Sequence, residues 1–254
     1  MVQYKKYCVL NGGEEAVNDT AIYRRVLLKL SGEALAGEKR SGLDFPLMKE
    51  VCAAVKRCAD MGVEIGLVVG GGNFWRGAKD GGGKMERSRA DHMGMLATVM
   101  NALALCDVFE QVGARACVMT MVDMPRFAEP YSRREAERRL KAGEIVIFAC
   151  GTGSPFFSTD TGAVLKAAEI GAEAILLAKN VDGVYSADPR LDPEAVRYER
   201  VGYDEVLARR LGVMDLTATS LAMDNALPVR VFALADPENI VRVVRGEALG
   251  TLVD

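Results

Sequence analysis

The stretch Val26-Leu27-Leu28-Lys29-Leu30-Ser31-Gly32 decides the fold, because an apolar run ends there in a hydroxyl group and a glycine. A continuous apolar run of this kind is typical of a β-strand that is buried on both faces, as in a parallel sheet. Lys29 costs free energy inside it unless the ammonium group meets an anion at the strand end. A lysine that reaches solvent from an edge strand is the alternative. We favour a central strand whose end faces an anion.

The segment after this strand predicts a helix. Asp44 suits the N-cap position and Pro46 the first turn, and apolar residues then recur at helical spacing. Strand-like and helix-like segments alternate from there to the end of the chain. The predicted strands are 63–69, 116–121, 145–149, 174–178 and 229–233, and the further predicted helices are 90–112, 133–141, 160–170 and 237–245. This alternation predicts an α/β fold with a mainly parallel sheet covered on both faces.

The chain divides into a tail and one domain. Residues 1–22 contain Gly, Asn and acidic residues without an apolar period, which predicts a weakly ordered N-terminal tail. No linker rich in Pro, Gly or Ser interrupts the remainder, and we find no internal repeat. We therefore predict a single α/β domain over residues 23–254, with a division into two lobes left open.

Composition excludes several classes of function. Among 254 residues, 32 Lys and Arg are balanced by 35 Asp and Glu, so nucleic acid or an anionic membrane is not expected as the main partner. Six cysteines without a C-x-x-C pair and a single histidine, His92, argue against a zinc site. The cysteines fit a reducing compartment. No apolar stretch approaches the ~18 residues of a membrane span, and residues 1–20 lack a secretory signal. We therefore expect a cytoplasmic protein.

The ends of four predicted strands carry glycine-rich or polar segments, and ligands of parallel sheets bind beyond such ends. The second of these segments contains Gly70-Gly71-Gly72, whose backbone N–H groups suit a phosphate, and Arg76 could add a bidentate contact. A tight turn with positive φ is the alternative explanation for the glycines. The four segments are 29–32, 70–77, 151–160 and 181–189.

The other two segments add hydroxyl groups, aromatic rings and carboxylates. Residues 151–160 combine flexible backbone and two phenylalanines with Asp160, which is either a helix N-cap or a catalytic carboxylate. Residues 181–189 offer an aromatic ring and turn carboxylates that suit a nucleoside, although such turns are also common without a ligand. Glycine-rich strand ends with Lys and Arg, in the absence of histidine or cysteine machinery, favour phosphoryl transfer, which depends on positioning and charge neutralisation.

Seven segments together resemble the bacterial uridylate (UMP) kinases of the amino-acid-kinase family, over residues 23–253. The segments are KLSGEAL (29–35), GGGNFWRG (70–77), ADHMGMLATVMN (90–101), GTGSPFFSTD (151–160), VDGVYSADP (181–189), VMDLTA (213–218) and LPVRVF (227–232). The resemblance implies a three-layer α/β/α sandwich that transfers the γ-phosphoryl group of ATP to UMP in pyrimidine nucleotide biosynthesis. It further implies Mg²⁺ as cofactor, a homohexamer, and activation by GTP with inhibition by UTP. Some relatives carry basic residues where this chain has Cys106 and Glu110, so the GTP contact stays open.

The resemblance also implies roles for individual residues. The implied catalytic residues are Lys29, Arg76, Asp160 and Asp215. The implied ATP-binding residues are Lys29, Leu30, Ser31, Gly32, Gly72, Arg76, Asn180, Tyr185 and Asp188, with Lys179 adjacent. The implied UMP-binding residues are Gly71, Asp91, Thr152, Gly153, Ser154, Pro155, Phe156, Phe157, Ser158 and Thr159. No residue is assigned as a direct metal ligand, since Mg²⁺ would be held mainly by the ATP phosphates.

Two alternatives use the same fold. One is a kinase of amino-acid carboxylates such as acetylglutamate or aspartate, but the segments at 90–101 and 151–160 match the nucleotide branch. The other is a nucleotide-binding protein without catalysis, which would be expected to lose the lysine or the carboxylates that are present here.

Overall fold

The computed structural model describes residues 20–39, 41–76, 80–81 and 83–254. A nine-stranded sheet runs through these residues, in the order β4-β3-β5-β2-β1-β6-β8-β9-β7. The strands are β1 (Arg25–Leu30), β2 (Glu64–Val69), β3 (Ala116–Thr120), β4 (Glu129–Pro130), β5 (Ile145–Ala149), β6 (Ala174–Lys179), β7 (Arg200–Val201), β8 (Val229–Ala233) and β9 (Thr251–Val253). All neighbouring pairs are parallel except β8 and β9. The predicted α/β class with a mainly parallel sheet is confirmed.

Helices cover both faces of the sheet. The described α-helices are α1 (Phe45–Asp60), α2 (Arg87–Gln111), α3 (Arg133–Lys141), α4 (Thr159–Ile170), α5 (Tyr203–Arg209), α6 (Leu216–Asp224) and α7 (Glu238–Val244). One apolar core contains buried residues of α1, α2 and α7, such as Val51, Leu105 and Val241. A second core contains residues of α3 to α6, such as Leu140 and Val164. The two cores confirm the three-layer sandwich.

Local signals explain most element boundaries. Asp44 caps α1 as predicted and accepts a hydrogen bond from the Leu47 N–H at 3.2 Å. Asp160 is not the N-cap of α4, which corrects that interpretation: Ser158 is the cap, and its hydroxyl accepts from the N–H groups of Asp160 and Thr161. The side chain of Asp160 is thereby left for another contact.

Several short elements were not predicted. They are a 3-10 helix (Gly32–Lys39), helices α5 and α6, and strands β4, β7 and β9. The predicted tail lies outside the described residues at positions 1–19. At the end of that predicted range, the Ile22 N–H donates to the Val244 carbonyl group at 2.9 Å, which joins it to α7.

Helix α2 has the length and apolar composition of a membrane span, contrary to the expectation that no stretch approaches one. A helix in the core of a globular domain meets the same criterion. Residues along α2, such as Val99, Leu105 and Phe109, are buried in the first core. Packing in the first core therefore accounts for the apolar residues on the buried face of α2.

Strand order brings the four predicted segments to one edge of the sheet. Strand β1 pairs with β2 (Leu30 opposite Val69) and with β6 (Lys29 opposite Leu177), and β5 pairs with β2 on its other side. The carboxyl ends of β5, β2, β1 and β6 are thus consecutive. The segments that follow them lie side by side.

Candidate functional site

Lys29 and Asp160 form an ion pair at the end of the central strand. The distance from Lys29 Nζ to Asp160 Oδ1 is 2.6 Å, and both side chains are largely buried. Only 7% of Lys29 is exposed, so the anion predicted from its position in an apolar strand is Asp160. The carboxylate belongs to the first turn of α4, where the partial positive charge of the helix N-terminus also favours it.

Asp215 joins this cluster from the start of α6. Its carboxylate caps α6 by accepting from the Ala218 N–H at 3.0 Å. It also accepts hydrogen bonds from the hydroxyl groups of Ser158 and, at 3.3 Å, Thr161. The Ser158 hydroxyl group therefore links the two acidic residues, since it accepts from the Asp160 N–H and donates to the Asp215 carboxylate.

Lys179 is the functional residue that the sequence analysis left only adjacent to the site. It ends β6, next to the strand that contains Lys29, and its ammonium group donates to the Val213 carbonyl group. Burial lowers the pKa of Lys179, an effect that Asp160 and Asp215 oppose and that Lys29 reinforces. A lysine at the end of a buried strand was the signal used for Lys29, and it applies equally to Lys179.

The glycines at this edge allow backbones to approach closely. A Cβ atom added to Gly32 would lie 2.5 Å from the Gly70 carbonyl oxygen and 2.7 Å from Asn73 Oδ1. One added to Gly71 would lie 2.8 Å from the Gly94 carbonyl oxygen of α2. None of the glycines at 70–72 has positive φ, so the tight-turn alternative is wrong. These glycines serve close approach instead.

A cavity of about 480 Å³ opens beyond β2 and β5. Two buried asparagines hold its glycine edge: Asn101 donates to the Gly70 carbonyl group at 2.7 Å, and its amide exchanges hydrogen bonds with that of Asn73. The lining residues are Gly71, Gly72, Trp75, Arg76, Asp91, Gly94, Met95, Thr98, Cys150, Gly151, Thr152, Ser154, Phe157, Ser158 and Thr159. This cavity unites the second and third predicted segments.

Asp91 and Arg76 face this cavity with partners already in place. Asp91 accepts from the Phe156 backbone N–H at 2.9 Å and from Arg87 Nε at 2.8 Å. Arg76 forms an ion pair with Glu33 rather than presenting a free guanidinium group. A bound anion would therefore compete with Glu33 for Arg76.

A second cavity of about 520 Å³ lies beyond β6. It contains the predicted residues Asn180, Tyr185 and Asp188, together with Arg209 and Arg210 at the end of α5, which the sequence analysis did not single out. The remaining lining residues are Val181, Gly183, Val184, Ser186, Ala187, Pro189, Arg190, Leu211 and Gly212. Residues next to the ion-pair cluster line both cavities: Thr159, beside Asp160, lines the first, and Asn180, beside Lys179, lines the second.

Some predicted residues do not line either cavity. Leu30 is fully buried, and Gly153, Pro155 and Phe156 belong to the predicted UMP segment without being among the lining residues. Phe156 contributes its backbone N–H to Asp91 instead. Within the described ranges, no group of three or more His, Cys, Asp or Glu side chains could hold a metal ion alone.

Comparison with known proteins gives consistent matches. The model of the amino acid kinase family matches residues 24–233. The structure is similar to the UMP kinase from Bacillus anthracis, with a TM-score of 0.87 and 38% identity over 91% of this chain and 96% of that one. It is also similar to the UMP kinase from Ureaplasma parvum (TM-score 0.86, 33% identity, 91% and 98%) and the uridylate kinase from Archaeoglobus fulgidus (0.71, 30%, 90% and 99%). The likeness spans nearly the whole chain rather than one motif.

Proposed function

Because the chain belongs to the amino acid kinase family, we propose that it is a UMP kinase, which transfers the γ-phosphoryl group of ATP to UMP and releases ADP and UDP. The structures to which it is similar are UMP kinases at 30–38% identity. The observation that carries the proposal is the Lys29–Asp160 cluster, whose sequence neighbours line two cavities that are each large enough for a nucleotide.

Each cavity is assigned one substrate. The first cavity takes UMP between the glycines of the second segment, Asp91 and the hydroxyl groups of residues 152–159. The second takes the nucleoside of ATP against Asn180, Tyr185 and Asp188. The γ-phosphate of ATP and the phosphate of UMP would then meet at the cluster of Lys29, Asp160, Asp215 and Lys179.

The chemistry of the cluster suits in-line phosphoryl transfer. Negative charge spreads over the transferred group in the transition state, and preorganised cations stabilise it. Lys29 and Lys179 supply two cations at adjacent strand ends, and Arg76 would supply a third when phosphate displaces Glu33. The acceptor is an ionised phosphate, so the site needs no general base. The mechanism assigns Lys29, Arg76 and Lys179 to charge stabilisation, and Asp160 and Asp215 to positioning.

Mg²⁺ fits this donor set. Asp160 Oδ1 is buried and accepts no well-aligned hydrogen bond from the described residues, although Lys29 lies beside it. Kinase sites hold Mg²⁺ by one or two carboxylates together with substrate phosphates. Asp160 and Asp215 would hold the ion with the ATP phosphates, and the ion would supply further charge neutralisation.

Assembly into a homohexamer is proposed from the outer face of α2. Four large apolar side chains at spacings of three and four residues are 38–54% exposed, and they form one stripe: Met93, Leu96, Met100 and Leu103. An exposed apolar stripe of this kind is typical of an interface between proteins. A second copy of the chain would bury it.

Regulation and location are separate parts of the proposal. Activation by GTP and inhibition by UTP rest on the resemblance to regulated relatives and are tested by adding each nucleotide to the assay. A cytoplasmic location is supported by Cys52, Cys58, Cys106, Cys117 and Cys150, which are all unpaired in the described part of the chain.

The direct test is to identify both products. Incubation with Mg-ATP and UMP should give UDP and ADP in equal amounts by chromatography. ADP without UDP would indicate ATP hydrolysis and would contradict the proposed acceptor.

A further inference from the structure

Arg87 lies at the start of its helix, a position that does not favour a positive charge. It is the first residue of α2, where the helix dipole disfavours a cation, and α2 has no side-chain N-cap. Its Nε atom nevertheless lies 3.0 and 2.8 Å from the two carboxylate oxygens of Asp91. An Arg–Asp pair four residues apart on a helix is by itself an ordinary surface contact.

Two additional contacts connect this pair to a distant segment. The Arg87 guanidinium carbon lies 5.4 Å from the centre of the Phe156 ring, within cation–π range. The Phe156 N–H donates to Asp91 Oδ2 at 2.9 Å across 65 positions of sequence. Arg87, Asp91 and Phe156 thus form a closed set of three contacts.

The backbone of Phe156 is strained in this arrangement. Its φ angle is 71°, in the left-handed region that a bulky side chain rarely adopts, and 66% of the residue is exposed. Burial therefore does not hold Phe156 in place. The contacts with Asp91 and Arg87 are the described interactions that compensate for the strain.

We propose that Arg87 is a positioning residue for the nucleotide acceptor, which holds the segment 151–158 closed over the first cavity through Asp91 and Phe156. The proposal rests on the proposed function, because the cavity is the UMP site. Arg87 also restrains the Asp91 carboxylate, which faces the cavity with only 13% of its side chain exposed. Loss of Arg87 should weaken acceptor binding and leave ATP binding unchanged.

The protein contains its own probe of acceptor binding. Its single tryptophan, Trp75, lines the first cavity, and its indole N–H donates to the Ala90 carbonyl group of α2 at 2.8 Å. Titration of tryptophan fluorescence with UMP in the absence of ATP therefore measures acceptor binding without turnover.

The test compares Arg87→Ala with Arg89→Ala. Arg89 is a matched control on the same helical turn, since it forms an ion pair with exposed Glu86 and 77% of its own side chain is exposed. We expect Arg87→Ala to raise the Kd and KM for UMP by about tenfold, the scale of a lost charge-assisted contact, with the KM for ATP unchanged. Arg89→Ala should stay within about twofold of wild type. Arg87→Lys keeps the charge but loses the planar group, so its Kd and KM for UMP should lie between those of Arg87→Ala and Arg89→Ala.

A double variant shows whether the contact with Phe156 carries the effect. If Arg87 acts through Phe156, the losses of the two single variants should not add. The double variant of Arg87→Ala and Phe156→Leu should then have a Kd for UMP no higher than the higher of the two single-variant values. Fully additive losses, or equal effects of Arg87→Ala and Arg89→Ala in a wild-type background that forms UDP, would overturn the inference. A wild-type protein that neither binds UMP nor forms UDP would overturn the proposed function and this inference together.

Discussion

Lys29 Nζ lies 2.6 Å from Asp160 Oδ1, and this contact joins the end of the central strand to the first turn of α4. The lysine would be costly to bury alone, and the carboxylate balances its charge in the absence of substrate. A phosphate that enters between the two cavities would meet an ammonium group already held in position. The same pair therefore explains the buried lysine of β1 and, under the proposed function, would provide a cation for phosphoryl transfer.

Replacement of Lys29 by Ala should lower kcat far more than it weakens acceptor binding. The ammonium group interacts most strongly with charge that develops in transfer, so we expect kcat to fall by about 10²–10³-fold. The Kd for UMP, measured by Trp75 fluorescence, should change by less than about threefold. Lys56→Ala is the control, because Lys56 is half-buried and forms its ion pair with exposed Asp60 on the same helix, α1. Unchanged kcat in folded Lys29→Ala would exclude this role.

Replacement of Gly32 by Ala should destabilise the domain. The added Cβ would lie 2.5 Å from a backbone oxygen of Gly70, which cannot move without shifting β2. Overpacking of this kind costs about 1–3 kcal/mol, so Tm should fall by roughly 2–10 °C. Gly212→Ala is the control, since nothing lies within 4 Å of its added Cβ and its φ is not positive. Equal Tm values for the two variants would show that the close approach is not required.

The lowered pKa of Lys179 predicts that activity falls at alkaline pH. Burial lowers its pKa below the ordinary 10.5, and only the protonated form can stabilise phosphoryl charge. The value of kcat/KM for UMP, which reports groups of the free enzyme, should therefore fall as pH rises through a pKa below 10.5. Stability should change in the opposite direction, because deprotonation relieves the penalty of burying the charge and Lys179 then favours folding more as pH rises towards 10.5.

The variant Lys179→Arg tests whether Lys179 is the group whose deprotonation lowers the activity. Lys179→Arg keeps its positive charge throughout the alkaline pH range, so its remaining activity should not fall as the pH rises. A fall in the activity of Lys179→Arg at the same pH would show that a different group titrates. The measurement is kcat/KM for UMP against pH, with Tm recorded at each pH.

Replacement of Leu96 by Glu should break the proposed assembly. Leu96 is 54% exposed in the middle of the apolar stripe on α2, and a charge there cannot be buried against a second copy without a partner. We expect analytical ultracentrifugation to show a smaller species than the wild type. Leu191→Glu is the control, because Leu191 is 84% exposed and lies far from α2 in sequence. A monomeric wild-type protein, or an unchanged assembly in Leu96→Glu, would contradict the interface.

Sequence reasoning worked where one physical signal dominated. The buried run of β1 and the Asp44 cap of α1 are local features, and both are confirmed. Helix α5 was missed because no Ser, Thr, Asp, Asn or Pro marks its start after Gly202, whereas α7, of the same length, begins after Pro237. Ser158 rather than Asp160 caps α4, because the choice between adjacent polar residues depends on backbone geometry that composition does not specify.

The site was predictable in outline but not in its internal contacts. Parallel topology alone brings the segments after β1, β2, β5 and β6 to one edge. The pairing of Arg76 with Glu33 and the contact between Phe156 and Asp91 depend on side-chain placement across tens of residues. Lys179 shows an intermediate case, since its strand-end position was visible in the sequence while its proximity to Asp160 required the fold.

The most direct measurement is ADP release from Mg-ATP with UMP, CMP, dUMP, acetylglutamate or aspartate offered separately. The assignment of the first cavity to UMP predicts strong turnover with UMP and none with either carboxylate, because the cavity is lined by the glycines, hydroxyl groups and Asp91 that suit a nucleotide. Turnover only with a carboxylate would contradict the acceptor while leaving the fold and the Lys29–Asp160 cluster intact. No turnover with any acceptor, in protein that binds ATP, would contradict catalysis itself.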